Sequence, residues 1–340
     1  MGKSPGASTA PGAPSRRDAF SRSFGGRARL ARTSVAQRAD LRVRIGSIEL
    51  ANPILAASGT FGYGVEFAHL VDLNRLGGFV TKGLSARPMA GAPAPRLAET
   101  ACGMLNAVGL QNIGVRAFVA EKLPALRSCR TAVIANVFGS SLAEYVEVIG
   151  VLEEAEGLAA YELNVSCPNT EGGGREFGID PEVTAGLVRE CRRVAKRPLW
   201  VKLSPNVTDI VAIARAAEAA GADALTIANT YPAMAIDFRT RRSRLGRISG
   251  GLSGPAIKPI TLKLVYDTCQ AVGVPVIGLG GIETAEDVLE YMLAGATAVQ
   301  VGTAHFADPS ISQTLVEGIE RLATDINVHN INTLIGGLLR

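Results

Sequence analysis

Runs of five or six apolar and β-branched residues recur along most of the chain: ILAAS (54–58), GFVTK (78–82), AVIANV (132–137), YELNV (161–165), LWVKL (199–203), ALTIAN (224–229), PVIGLG (275–280) and AVQVG (298–302). Each is too short for a helix and has the make-up of a strand buried on both faces. Between most of them apolar residues return with helical spacing, over Val115–Leu126, Leu142–Glu156, Pro181–Ala195, Val207–Ala220, Ile257–Ala271, Ala285–Ala294 and Ile311–Ala323. Asp180 stands before Pro181 as an N-cap, and Gly221 and Gly295 stand where helix ends favour a left-handed residue. This alternation predicts an α/β fold, a parallel (β/α)8 TIM barrel, with an open doubly wound sheet as the competing arrangement. Ahead of it, LRVRIGSIELANP alternates around Gly46, which predicts a short β-hairpin closing the bottom of the barrel.

Composition adds a boundary. The 340 residues are 47% hydrophobic and include 38 glycines, which excludes a disordered, collagenous or coiled-coil chain. Residues 1–40 hold eight basic and two acidic side chains, a local net of +6 against +4 for the whole chain, so the positive charge belongs to the tail. With no sustained apolar period, residues 1–39 read as a disordered basic tail and 40–340 as the barrel. A transit peptide and a basic arm are open readings of that tail, a misassigned start codon or a solvated extension is the favoured one, and no apolar segment follows it as in a secretion signal.

No apolar run reaches membrane-spanning length; Ile210 to Ala228 is broken by Arg215, Glu218 and Asp223. Five dispersed cysteines without a CxxC pair exclude a zinc or iron–sulfur site and point to a reducing, cytoplasmic setting. No metal, membrane or nucleic-acid partner is expected.

Barrel enzymes build their sites at the carboxyl ends of the strands. Here those ends carry Ser58, Lys82, Asn136, Asn164, Lys202, Asn229, the pair Gly280 and Gly281, and the pair Gly302 and Thr303. Amides can read the edge of a flat heterocycle and ammonium groups can balance anionic oxygens, so the set predicts a site for a planar cofactor and a small substrate. Three glycine-rich turns, SGGLSGP, GLGGI and VGT, predict a mononucleotide phosphate site, while the dinucleotide and P-loop glycine fingerprints are missing. Cys167, in NVSCPN, is flanked by poor packing material and is the candidate nucleophile or base. Cys102, Cys129, Cys191 and Cys269 read as small packing residues. His69, in a helical stretch, His305 and His329 supply no partner for a cysteine dyad.

The motifs ANPILAASGTFGYG, GGFVTKGLS, GMLNAVGLQNIGV, ELNVSCPN, VKLSPN, GGLSGPAIKP and IGLGGI together resemble the dihydroorotate dehydrogenases, from about Leu41 to Leu322. The resemblance implies an FMN-holding barrel that oxidises (S)-dihydroorotate to orotate for pyrimidine biosynthesis, with Cys167 as the general base and flavin N5 as the hydride acceptor. Cysteine rather than serine there is similar to the soluble class 1. By the same resemblance, Lys82, Asn106, Asn164, Asn169, Asn229 and Thr230, with backbone groups of Val108, Gly109 and Leu110, would hold the substrate. Ser58, Lys82, Asn136, Asn164 and Lys202 would contact the flavin, and Gly251, Gly280, Gly281, Gly302 and Thr303 its phosphate.

GTFGYG and GMLNAVGLQN resemble subtype B, which implies a homodimer within a heterotetramer whose second subunit carries FAD and an iron–sulfur cluster and passes electrons to NAD. Fumarate as oxidant, as in subtype A, stays open, and the basic tail departs from both. The bland alternatives are that Lys202 pairs with a buried acid and that Asn106 and Asn136 brace loops. Other readings are an FMN barrel acting on another dihydropyrimidine or on dihydrouridine in RNA, and a non-catalytic electron-relay flavoprotein.

Overall fold

A computed structural model describes residues 38–166, 168–169 and 175–339. Contacts divide the chain into Met1–Ala36 and Gln37–Arg340. The expected disordered tail falls almost wholly outside the described residues; Ala39 is already buried, and Asp40 N–H donates to the carbonyl of His329.

Eight parallel strands close into a barrel: β1 Ile54–Ala56, β2 Gly78–Val80, β3 Ala132–Val137, β4 Ala160–Asn164, β5 Leu199–Lys202, β6 Ala224–Ile227, β7 Val276–Leu279 and β8 Ala298–Val301. Each pairs with its neighbours in sequence order, and β8 returns to β1 through Val299↔Ile54. The open-sheet alternative is thereby excluded. The hairpin Val43–Ile45 and Ile48–Leu50 turns at Gly46 and buries Val43, Ile45 and Leu50 before the chain enters β1.

Local chemistry sets the helix bounds. Asp180 accepts hydrogen bonds from Glu182 and Val183 N–H and starts Pro181–Val194. Asp209 does the same for Val211 and Ala212, so that helix is Ile210–Ala219 and not a segment from Val207. Thr284 and Asp287 cap each other's backbone at the start of Ala285–Leu293. The segment expected as one helix over Val115–Leu126 is instead α-helical at Val115–Ala117 and Leu123–Leu126 around a π-helical turn, Phe118–Lys122. Pro124 lacks the N–H that a regular ladder needs there, which accounts for the interruption. His69 lies among turns rather than in a helix.

One element has no counterpart in the sequence reading. A four-stranded antiparallel sheet, in the order Tyr231–Ala233, Gly250–Ser253, Gly103–Asn106, Leu97–Thr100, is inserted after β2 and β6. It has its own small core of Ala98, Leu105, Ala107 and Leu245. SGGLSGP, expected as a glycine turn, thus contains a strand, and Gly251 lies opposite Asn106 in its ladder.

Candidate active site

Side chains of successive strand residues alternate between the barrel interior and its outer face, so the last polar residue of each strand is delivered to one rim. A cavity of about 460 Å³ opens there, within the range of small-molecule sites. Its lining includes Ser58, Lys82, Asn136, Asn164, Lys202, Asn229, Thr230, Gly280, Gly281, Gly302 and Thr303, together with Asn106, Val108, Gly109, Leu110 and Gly251 from the antiparallel sheet and its loop. All the site residues expected from sequence therefore converge on one space, except two whose side chains lie outside the described residues, Cys167 and Asn169. The backbone of Pro168–Asn169 pairs with Arg175–Glu176.

Lys202 ends β5 with only 6% of its surface exposed, and its Nζ lies 3.3 Å from Ser58 Oγ. Burial pushes this ammonium below the ordinary lysine value, opposed by the charge of Glu162. Burial likewise lowers Lys82, helped by Arg96 and opposed by Glu66. Lysine ion pairs among the described residues belong to Lys122, Lys258 and Lys263, so neither cavity lysine is spent on a salt bridge. The bland reading of Lys202 as half of a buried ion pair is not met at contact distance.

Amides form the second group. Asn229 Nδ2 donates to Asn164 Oδ1 at 3.0 Å, and Asn229 Oδ1 accepts from Thr230 N–H at 2.8 Å. Tyr145 O–H fixes the Asn164 carbonyl at 2.7 Å. Asn106 Nδ2 donates to the Gly251 carbonyl at 3.1 Å, so Asn106 does brace backbone while also facing the cavity. The Asn136 side chain bonds a buried carboxylate, Glu162, while its main-chain carbonyl accepts from Leu84 N–H.

Gly251 has to be glycine, because a Cβ there would lie 2.0 Å from Thr230 Oγ1. Gly280 and Gly281 both take positive φ, at 151° and 67°, opening the turn after β7. Thr303, after β8, donates its hydroxyl to Ser253 Oγ at 2.8 Å, tying the barrel rim to the inserted sheet.

Sequence reasoning missed Glu176, Ser204, Asn206, Ser253 and Glu162. Glu176 lines the cavity and accepts from Ser204 Oγ at 3.0 Å, with burial raising its carboxyl. Ser204 and Asn206 sit in VKLSPN, and Glu162 shares an inward strand face with Asn164, so parity was the available signal. The reading of four cysteines as packing residues needs one correction: Cys191 is buried, Cys129 and Cys269 are half-buried, but Cys102 is exposed beside a hairpin turn. Burial pushes the thiols of Cys191 and Cys269 up to about 12, which keeps them protonated and inert.

No helix among the described residues is long and apolar enough to cross a membrane. Residues 40–322 match the family model described as dihydroorotate dehydrogenase. A protein of Solibacter usitatus named putative dihydroorotate dehydrogenase A (fumarate) is 58% identical over 298 residues, covering 88% of this chain and 98% of its own. Catalytic subunits of dihydroorotate dehydrogenase B (NAD(+)) from Pelobacter propionicus and Trichlorobacter lovleyi are 53% and 54% identical, each covering 88% of this chain and 98% of their own. A family match over most of the barrel, with a rim carrying cations and amides suited to a small anionic ring, places this chain in the dihydroorotate dehydrogenase family, oxidoreductases that convert dihydroorotate to orotate in pyrimidine biosynthesis.

Proposed function

We propose that the cavity holds FMN and (S)-dihydroorotate together, with Cys167 as the general base. The observation that carries this reading is the convergence of two lysines free of salt bridges, four amides and the glycine turns on one space. The residues fit the cofactor: Lys202, Ser58 and Asn136 offer a cation, a hydroxyl and an amide to a ring edge, and the turns after β7 and β8 offer backbone N–H groups to a phosphate. When bound, FMN supplies the acceptor for the hydride leaving C6 of the substrate.

The chain's own residues do the rest. Lys82, on the cavity wall, would hold the substrate carboxylate and face the flavin as well. Asn106, Asn164, Asn169, Asn229 and Thr230, with the backbone from Val108 to Leu110, grip the pyrimidine edge and fix its orientation. The Cys167 thiolate takes the C5 proton. Gly251, Gly280, Gly281, Gly302 and Thr303 hold the phosphate.

Electrons then pass to NAD through a partner subunit carrying FAD and an iron–sulfur cluster, with the catalytic chain as a homodimer in a cytoplasmic heterotetramer. The names of the Pelobacter and Trichlorobacter relatives support NAD, the Solibacter name supports fumarate, and GTFGYG with GMLNAVGLQN weighs for NAD.

An anaerobic absorbance trace on adding dihydroorotate to the purified chain tests this directly. Bleaching of the flavin band is expected; a yellow protein that stays oxidised refutes the substrate. Cys167→Ala is expected to retain FMN and slow the bleaching by about 100-fold or more at neutral pH. An unchanged rate removes Cys167 from the mechanism.

A further inference from the structure

Below the rim, the barrel interior contains a polar layer that the proposed reaction does not use. Glu162, in the middle of β4, has no exposed surface. Its Oε1 accepts from Asn136 Nδ2 of β3 at 2.9 Å, and its Oε2 accepts from Thr226 Oγ1 of β6 at 2.9 Å and from Gln300 Nε2 of β8. Three donors from three strands thus converge on one carboxylate inside a barrel whose interior is normally apolar. A buried charge of this kind is costly unless it is fully bonded and compensated. Glu162 is bonded on both oxygens, and the buried cation on which its charge acts is Lys202.

Two consequences reach the cavity. A carboxylate accepts and does not donate, so the Asn136 amide must send Nδ2 down to Glu162, leaving Oδ1 as its free end. That oxygen lies beside Gly83, 3.0 Å from where a Cβ on this cavity-lining glycine would sit. Asn136 therefore presents an acceptor upward, suited to a ring N–H and wrong for a ring carbonyl. The second consequence is electrostatic: Lys202 pairs in register with Asn164, two residues beyond Glu162 on the adjacent strand, and the negative charge beneath the rim opposes the lowering that burial imposes on its ammonium.

We propose that Glu162 is a positioning residue for the flavin site, fixing Asn136 as a hydrogen-bond acceptor and counterbalancing the Lys202 ammonium from inside the barrel. The inference rests on the FMN reading above. Glu162→Gln keeps the shape but puts an N–H where a donor already points, so Asn136, Thr226 or Gln300 must turn or lose a partner.

The test is titration of FMN into the full-length chain freed of flavin, followed by flavin fluorescence, for wild type, Glu162→Gln, Asn136→Ala and the double variant. Thermal unfolding without flavin serves as the control for folding. Glu162→Gln is expected to weaken FMN by ~10-fold, the cost of about one misdirected buried hydrogen bond, and to shift the bound flavin's absorption maximum. Because Glu162 acts through Asn136, adding Glu162→Gln to Asn136→Ala is expected to cost less than it does alone.

Should Glu162→Gln not fold, Glu162→Asp keeps the charge but withdraws the oxygens from Asn136, and a weakening of FMN by more than twofold but less than that of Glu162→Gln is expected. FMN binding unchanged within twofold in a folded variant, or fully independent losses in the cycle, overturns the inference while leaving the FMN reading intact. A wild-type chain that takes up no FMN overturns both.

Discussion

Lys82 and His305 show how burial turns single residues into pH-dependent parts. Lys82 titrates below the ordinary lysine range because the cavity wall desolvates it, so a carboxylate held by it loses attraction as pH rises through that lowered value. The KM for dihydroorotate is expected to start climbing at a lower pH than an unperturbed lysine would dictate, and Lys82→Arg, always charged, is expected to remove that climb even if its overall affinity is poorer.

His305 is 2% exposed, with Nδ1 3.2 Å from the Gly302 carbonyl and Nε2 2.9 Å from Ser312 Oγ, and desolvation lowers it to about 4. Because the unfolded imidazole protonates first, its contribution to stability is fully present above about pH 6.5 and is lost as pH falls through about 4. Urea midpoints at about pH 7 and about 5 should differ clearly for wild type and much less for His305→Gln.

At the scale of elements, the inserted antiparallel sheet brings together groups that the barrel alone could not. The register Gly251↔Asn106 joins residues of two separate excursions and sets both beside Thr230. Gly251→Ala would drive its methyl into the Thr230 hydroxyl, and the strand cannot move aside without breaking that register. An overpacking cost of ~1–3 kcal/mol is expected, seen as a higher KM for dihydroorotate and a lower melting temperature. Thr284→Ala removes one half of a capping box at a residue that does not itself line the cavity. It is expected to cost about 1 kcal/mol of stability with KM unchanged, which separates a fold effect from a site effect in the same assay.

For the whole molecule, the question is what the basic N-terminal segment contributes. Residues 1–37 hold seven basic and one acidic side chain, so a chain beginning at Arg38 changes its formal net charge from +4 to −2. The barrel core begins at Ala39 among the described residues, and every described cavity residue comes from position 57 or later. Truncation to Arg38 is expected to leave kcat and KM within about twofold while shifting ion-exchange behaviour, because net charge governs association and solubility rather than the fold. A large loss of turnover would give the segment a catalytic role that its composition does not suggest.

The positions of all eight strands, most helix bounds and the rim residues Ser58, Lys82, Asn136, Asn164, Lys202 and Asn229 were legible in the sequence, because run length, helical period, caps and the polar end of each strand are local properties. The π-helical turn ahead of Pro124 was hinted at by the proline but decided by the ladder around it. The meeting of Asn106 with Gly251, the bond from Thr303 to Ser253 and the convergence of Asn136, Thr226 and Gln300 on Glu162 depended on register and strand parity between segments far apart in the chain. Those alignments are fixed only when the barrel closes, so the sequence by itself determined which groups the rim would carry, and the tertiary structure decided which way they face.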